Sequence, residues 1–189
     1  EPDPSYHGAV WTEAAKPLGP IAYILRARVV LLRDLGACMS PFNAFQTIQG
    51  LETMPLRMER HCENGEKVAH FLNEHPLVDK VYWPGFTSHP NHEIAKSQMN
   101  GFGGMISFTL VGDDMQKAKQ IVSKTKVFAL AESLGGVESL IGHPSTMTHA
   151  SIPREERIKS GVVDSLIRLS VGIEDAEDLT NDLKAALSS

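Results

Sequence analysis

Apolar and polar positions along the chain divide it into a helical first part and a second part that alternates strands with helices. Residues 1–20 contain four prolines and no sustained apolar period, which predicts a loop. Apolar residues then recur at helical spacing up to the breaker Gly36, which predicts a helix over residues 21–35. Ser40 followed by Pro41 predicts the start of the next helix, because serine caps a helix N-terminus and proline suits the first helical position.

Pro55 interrupts the apolar stripe of this second helix. It lacks a backbone N–H and its ring clashes with the carbonyl of Leu51, so we expect a bend or a break in the helix there. Helical spacing resumes over residues 57–74 and stops before Pro76. Residues 1–75 are therefore expected to form an N-terminal loop and long linking helices.

The remainder of the chain, residues 76–189, carries the patterns of short strands separated by helices. Its strand-like segments share β-branched and aromatic residues beside turn-forming residues, and they are residues 78–83, 104–110, 126–130 and 165–171. An amphipathic pattern predicts a helix over residues 113–123, and Asp175 suits the N-cap of a last helix. We therefore predict an α+β fold in which helices cover one face of a small sheet, preceded by the long helices of the first part.

Composition and charge limit the class of protein. A chain of 189 residues, 42% of them hydrophobic, can bury one sizeable core. A net charge of -5 gives no electrostatic basis for binding nucleic acid or an anionic membrane, and no apolar run approaches the ~20 residues of a membrane span. Cys38 and Cys62 are too few for a disulfide framework, which favours the cytoplasm. The opening EPDPSYHG resembles an internal loop, so we expect a fragment or a processed product.

Arg168 is chemically the most unusual residue of the second part, because it lies inside an apolar strand. Alternation places Ile167 and Leu169 on one face of that strand and Arg168 with Ser170 on the other. A guanidinium in such a strand usually needs an anionic partner, since burying it unpaired is costly. The partner is either a structural carboxylate or the carboxylate of a ligand. Ion-pair arginines outnumber ligand-binding ones, so the residues alone favour the structural partner.

Other segments contain residue types found in functional sites but have simpler interpretations. His89 and His92 have the spacing of a metal-binding pair without a recognisable third ligand, so no metal site is predicted. His61 and Cys62 lie on a helix without a catalytic cysteine motif, which indicates a packing or surface role. The glycines of residues 101–104 run into a strand, which favours a turn over a phosphate-binding loop.

Three segments carry a resemblance to a known family, and they are AESLGGVESL, HPSTMTHASIP and SLIRLSVGIEDAEDL. They resemble the C-terminal domain of the fold-type I, pyridoxal-phosphate-dependent enzymes of cysteine and methionine metabolism. The resemblance implies a homotetramer in which this domain binds an amino-acid substrate and a larger preceding domain holds pyridoxal 5'-phosphate. It also implies that Arg168 forms a salt bridge with the substrate α-carboxylate, helped by Ser133 and Leu134. On this basis the ligand carboxylate becomes the favoured partner.

The two ends of the chain resemble different branches of this family. Residues 1–75, with EPDPSYHG and RDLGACMSPFNAFQTIQGLETMPLRMERHCEN, resemble O-acetylhomoserine sulfhydrylases, which replace the acetoxy group at Cγ with sulfide. Residues 78–189 resemble cystathionine γ-lyases and γ-synthases, in which the glutamate matching Glu132 lies near the distal amino group of cystathionine. The expected substrate is therefore O-acetylhomoserine or cystathionine, and the branch stays open.

The cofactor lysine of this family lies in a Ser/Thr-Lys segment followed by glycines, and this sequence has no such segment. No catalytic and no cofactor-binding residue is therefore assigned in this chain, and we expect the isolated chain to be inactive. For the whole enzyme, the resemblance implies deprotonation at Cα and Cβ and loss of a γ-leaving group, with the cofactor as electron sink. A non-catalytic module that serves folding or oligomerisation is the alternative.

Overall fold

The computed structural model describes residues 1–188 and divides into two compact units. The first is Glu1–Glu52, and the second begins at Thr53 and contains the sheet. Among the described residues, no helix is both long enough and apolar enough to cross a membrane. The functional division that the sequence places between residues 75 and 76 stays a prediction.

The first unit consists of loops and helices, as its spacing predicts. Its helices are α1 (Trp11–Ala14), α2 (Ala22–Arg26), which continues as a π-helix (Ala27–Asp34), and α3 (Pro41–Glu52). The helix predicted over residues 21–35 is therefore confirmed, although its second half has π-helical and not α-helical hydrogen bonding. Ser40 caps α3 as expected, because its Oγ accepts a hydrogen bond from the N–H of Asn43 at 3.1 Å.

The second unit begins with its longest helix, α4 (Met54–Asn73). The predicted interruption is confirmed, since α3 ends at Glu52 and Pro55 occupies the first turn of α4, where its missing N–H has no intrahelical partner to lose. Val68, Ala69 and Leu72 are fully buried on the inner face of α4. The helix ends before Pro76, also as predicted.

The elements after α4 form one five-stranded sheet with its helices. The strands are β1 (Val78–Tyr82), β2 (Met105–Leu110), β3 (Ala129–Leu130), β4 (Leu140–Gly142) and β5 (Ile167–Ser170). The helices are α5 (His92–Gln98), α6 (Met115–Lys124), α7 (Arg154–Lys159) and α8 (Ala176–Leu187). The strand order is β1-β2-β5-β4-β3, and every pairing is antiparallel except the parallel pair β3 and β4. The predicted α+β class is confirmed.

The hydrophobic core lies on one face of this sheet. Ile106 and Phe108 of β2 and Ile167 and Leu169 of β5 are at most 1% exposed, and they belong to one cluster with buried residues of α4, α6 and α8. Burying each such side chain contributes about 1.5–3 kcal/mol. The alternation predicted for β5 is confirmed, so Arg168 and Ser170 share the face of the sheet that is opposite the core.

One predicted strand is mostly wrong. Of residues 126–130, only Ala129–Leu130 pair in the sheet. The backbone N–H groups of residues 126, 127 and 128 instead donate to the carboxylate of Asp182 on α8, at 2.8, 2.9 and 3.0 Å. This side chain replaces a neighbouring strand as their acceptor, and the sequence pattern gives no sign of it.

Candidate functional site

Arg168 extends from the centre of the sheet, on the face opposite the core. Its strand β5 lies between β2 and β4, and the register places Ser107 and Gly142 directly beside Arg168. Both neighbours are small, and residues paired across antiparallel strands project from the same face. The long guanidinium side chain therefore rises between small residues and remains half-buried.

The guanidinium of Arg168 is held by main-chain oxygens and not by an acid. Its Nη2 donates to the carbonyl of Glu132 at 2.8 Å and approaches the carbonyl of Ser133 at 3.5 Å. Within residues 1–188, no carboxylate lies within salt-bridge distance of Arg168. The structural carboxylate that the residues alone favour is therefore missing from the part of the chain that the structure describes.

Two other arginines form the structural ion pairs of this region. Arg154 and Arg157 of α7 both donate to Asp164, which is buried. The hydrogen bond from Arg154, followed by that from Arg157, holds the pKa of Asp164 below its usual range, while partial desolvation opposes them. Arg168 differs from both, because it has no carboxylate partner among residues 1–188.

A shallow cleft of about 10 Å³, room for about one water molecule, lies over Arg168. Residues from two loops and from β4 line it with Arg168, and they are Ala131, Glu132, Gly142, His143, Pro144, Met147 and Thr148. The structure thus brings the predicted residues Glu132 and Arg168 together in one cleft. Ser133 contacts Arg168 only through its carbonyl, and Leu134 is 55% exposed outside the lining.

The loop of residues 131–139 is fastened to the sheet at several points besides Arg168. The N–H of Gly135 donates to Oγ of Ser170 at 2.8 Å, and the N–H of Ile173 donates to the carbonyl of Val137 at 2.9 Å. Farther along, Glu174 accepts both the N–H and the Oγ–H of Ser139. These bonds fix the path of the loop over β5.

The opposite wall of the cleft, residues 143–148, is a site feature that the sequence reasoning did not select. It lies in the HPSTMTH segment that carries part of the family resemblance, but the resemblance assigned no role to any single residue of that segment. His143 supports this wall, since it is 1% exposed and its Nε2 lies 2.8 Å from the carbonyl of Asp164. A carbonyl can only accept, so Nε2 carries the proton and Nδ1 accepts from Thr146 at 2.8 Å. Burial lowers the pKa of His143, which favours the neutral ring.

The cleft has one cation that can pair with a carboxylate and no lysine that could form a Schiff base with pyridoxal phosphate. At about 10 Å³ it is also far smaller than the ~300 Å³ at which cofactor-sized pockets begin. Arg168 is the only cation among the described residues that line it, and its planar N–H groups match the geometry of a carboxylate. Among residues 1–188, no group of three His, Cys, Asp or Glu side chains is arranged to hold a metal ion.

The other candidates from the sequence have structural roles. His92 stacks on the ring of Phe102 at 5.4 Å and hydrogen-bonds the carbonyl of Pro84 through Nδ1. His61 is buried and its Nδ1 donates to the carbonyl of Val171 at 2.7 Å, which confirms the packing role. The glycine-rich residues 101–104 are irregular, with bends at both ends, and lead directly into β2, so they precede a strand as predicted.

Comparison with known proteins identifies the class. The family model described as Cys/Met metabolism PLP-dependent enzyme matches residues 7–188. The chain belongs to this family, whose members depend on pyridoxal phosphate.

The individual relatives come from several branches of the family. The chain is 56% identical over 157 residues to a cystathionine beta-lyase of Coxiella burnetii, which covers 83% of the chain and 40% of that protein. It is 52% identical, with the same two coverages, to a cystathionine gamma-lyase of Dictyostelium discoideum. It is 43% identical over its whole length to an O-acetyl-L-homoserine sulfhydrylase of Leptospira meyeri, of which the match covers 44%.

A solved structure agrees with these relatives. A Campylobacter jejuni protein assigned as an O-acetylhomoserine (thiol)-lyase, with a pyridoxyl-lysine phosphate, superposes with a TM-score of 0.83 at 43% identity. The superposition covers all of this chain and 44% of that one. The chain thus spans about two fifths of the length of the relatives it matches.

Proposed function

We propose that this chain forms the substrate-carboxylate-binding part of a pyridoxal-phosphate-dependent enzyme that acts at Cγ of homoserine-derived amino acids. The observation that carries the proposal is Arg168. Its guanidinium is oriented by the carbonyl of Glu132 in a cleft, and no carboxylate of residues 1–188 neutralises it. An amino acid's α-carboxylate would supply the missing charge through paired hydrogen bonds, which also orients Cα for proton removal.

Three neighbouring residues complete the proposed recognition. Ser133 and Leu134 lie on the loop that Arg168 holds, where their main-chain groups can approach the same carboxylate. Glu132 lines the cleft with an exposed side chain that makes no hydrogen bond or ion pair with the described residues. We assign it to the distal amino group of a substrate such as cystathionine, because a carboxylate attracts that cation.

We assign cofactor binding and proton transfer to residues outside this sequence. The absence of lysine from the cleft lining and the length of the relatives support this assignment. Bound there, pyridoxal phosphate would serve as the electron sink of the reaction. The isolated chain is then inactive and keeps no stoichiometric pyridoxal chromophore after dialysis. A stoichiometric chromophore that survives dialysis and is reduced by borohydride would contradict this part of the proposal.

We further propose a cytoplasmic homotetramer, with residues 76–189 as the substrate-binding domain. An exposed apolar stripe on α3 supports assembly, since Phe42, Phe45, Ile48 and Leu51 are 66, 58, 56 and 52% exposed. Light scattering of the intact enzyme tests the assembly state. A monomer that is as active as the assembled form would contradict the tetramer.

Substitution of Arg168 in the intact enzyme tests the main proposal. We expect Arg168→Ala to raise KM for the amino-acid substrate about 100-fold, which corresponds to about 2.7 kcal/mol of lost carboxylate binding. Arg168→Lys restores part of the affinity, because lysine keeps the charge without the paired geometry. Arg60→Ala on the exposed side of α4 is the matched control and leaves KM unchanged. An unchanged KM in Arg168→Ala would refute the assignment.

The branch is decided by supplying two substrates to the same enzyme. Formation of homocysteine from O-acetylhomoserine and sulfide identifies a sulfhydrylase. Cystathionine alone gives cysteine and a four-carbon 2-oxo acid if it is cleaved at Cγ, but homocysteine and a three-carbon 2-oxo acid if it is cleaved at Cβ. Formation of cystathionine from O-acetylhomoserine and cysteine identifies a γ-synthase. Cleavage at Cβ alone would contradict the proposed position of attack, and no reaction in any of these three assays would favour the non-catalytic module.

A further inference from the structure

Strand β5 holds the loop over the cleft with two side chains. Arg168 binds the carbonyl of Glu132, and Ser170 accepts the N–H of Gly135 at 2.8 Å. Arg168 and Ser170 are two residues apart on one strand, so they project from the same face of the sheet. The stretch of residues 132–135 is therefore fastened at both ends to the same strand face.

Two exposed residues, Ser133 and Leu134, lie between these two attachments. Gly135 has a φ of +79°, a conformation that side-chain-bearing residues rarely adopt, so glycine suits the position where the loop turns down to Ser170.

Ser170 has no other evident task on this face. It is 3% exposed and its backbone pairs with both neighbouring strands, but its Oγ is the acceptor for Gly135. Without that acceptor, the loop would stay attached at Glu132 and again at Val137, through the N–H of Ile173. The freedom gained would fall on Ser133 and Leu134, the two residues between these attachments.

We propose that Ser170 is a positioning residue for substrate-carboxylate recognition, which acts by holding residues 133–134 over Arg168 through the N–H of Gly135. The inference rests on the proposed role of Arg168 in binding that carboxylate. Ser170 does not touch the substrate. Its contribution is to reduce the number of loop conformations that carboxylate binding would otherwise have to restrict.

The test uses the intact, cofactor-loaded enzyme and L-norleucine, an amino acid without a γ-leaving group, as a competitive inhibitor. We expect Ser170→Ala to raise the Ki of L-norleucine and the KM of the substrate about five- to tenfold, while kcat changes less than about twofold. L-norleucinamide, which lacks the carboxylate, should bind the variant and the parent equally. Ser170→Thr keeps the hydroxyl and should restore Ki, and Ser123→Ala on α6 is a matched surface control.

The outcomes separate this inference from the proposed function. If Arg168→Ala weakens the binding of L-norleucine and Ser170→Ala does not, Ser170 has no positioning role and the proposed function of Arg168 stands. If neither substitution weakens this binding, the proposed function fails as well. Hydrogen exchange of the unsubstituted enzyme decides the case in which Ser170→Ala does not fold. The amide of Gly135 should then exchange at least about tenfold more slowly than an unprotected amide, and an unprotected rate would overturn the inference.

Discussion

Removing the carboxylate of Asp182 should destabilise the protein far more than substitution of an ordinary polar residue in the middle of a helix. Asp182 is 9% exposed, and its two oxygens accept the backbone N–H groups of Lys126, Val127 and Phe128. In Asp182→Ala all three donors lose their acceptor. The donor of Phe128 is buried, while the other two are partly buried and can recover some hydration.

The magnitude follows from these three donors. A buried donor left without a partner costs about 1–3 kcal/mol, and each donor with access to water costs about 0.5–1.5 kcal/mol. The sum predicts a loss of about 4 kcal/mol in the free energy of unfolding, or about 8–16 °C in Tm for a domain of this size. Asp182→Asn keeps one oxygen, which can still accept from Val127 and Phe128 and leaves only the N–H of Lys126 without an acceptor, so a loss of about 1 kcal/mol is expected.

Urea denaturation of the three proteins measures the effect. Asn181→Ala is the matched control, because Asn181 is exposed on the same helix and alanine favours helix formation. Hydrogen exchange should show that the amides of residues 126–128 lose protection in Asp182→Ala. A free energy of unfolding for Asp182→Ala within about 0.5 kcal/mol of the control would refute the reasoning.

Two further predictions concern helix packing and pH. Gly65→Ala should destabilise the protein by about 1–3 kcal/mol, because a Cβ would lie 2.4 Å from the carbonyl oxygen of Gly103. Gly50→Ala, in the last turn of α3 with open space around the added Cβ, should be neutral or stabilising in the same urea assay. Equal effects would contradict the close contact. Burial lowers the pKa of His143 below its usual value of 6.5. Between pH 6.5 and the lowered pKa, the unfolded state therefore binds more protons than the folded state. The stability that is present above pH 6.5 is lost as the pH falls through this range. The urea midpoint of His143→Gln should therefore fall less between pH 7.5 and pH 5 than that of the unsubstituted protein, and parallel curves would contradict the buried neutral ring. Asp164, whose pKa is lowered from 3.8, contributes its own loss of stability only at more acidic pH.

The sequence predicted those elements whose signals are local. Ser40 and Pro41 define the start of α3, Pro55 separates α3 from α4, and Asp175 caps α8 through the N–H of Glu177. Each of these depends on residues within a few positions along the chain. The three-residue strand β4 was not predicted, because a segment so short has too few residues to display a period.

The candidate site was predicted in part. The alternation around Arg168 predicted its face of β5, and the family resemblance selected Glu132, Ser133 and Leu134 before their positions were known. It did not select His143 as a support for the cleft wall or Ser170 as an anchor of the loop. Both act through partners tens of residues away, and no local pattern records such pairings.

The sequence by itself therefore determined the class of fold, the approximate boundaries of several helices, the family and the identity of the arginine. Only the tertiary structure decided which arginines are already paired. Arg154 and Arg157 share Asp164, whereas Arg168 is held by a carbonyl and finds no carboxylate among residues 1–188. The physical reason is that periodicity specifies the face on which a charge lies, but its partner depends on which distant segments the folded chain brings within hydrogen-bonding distance.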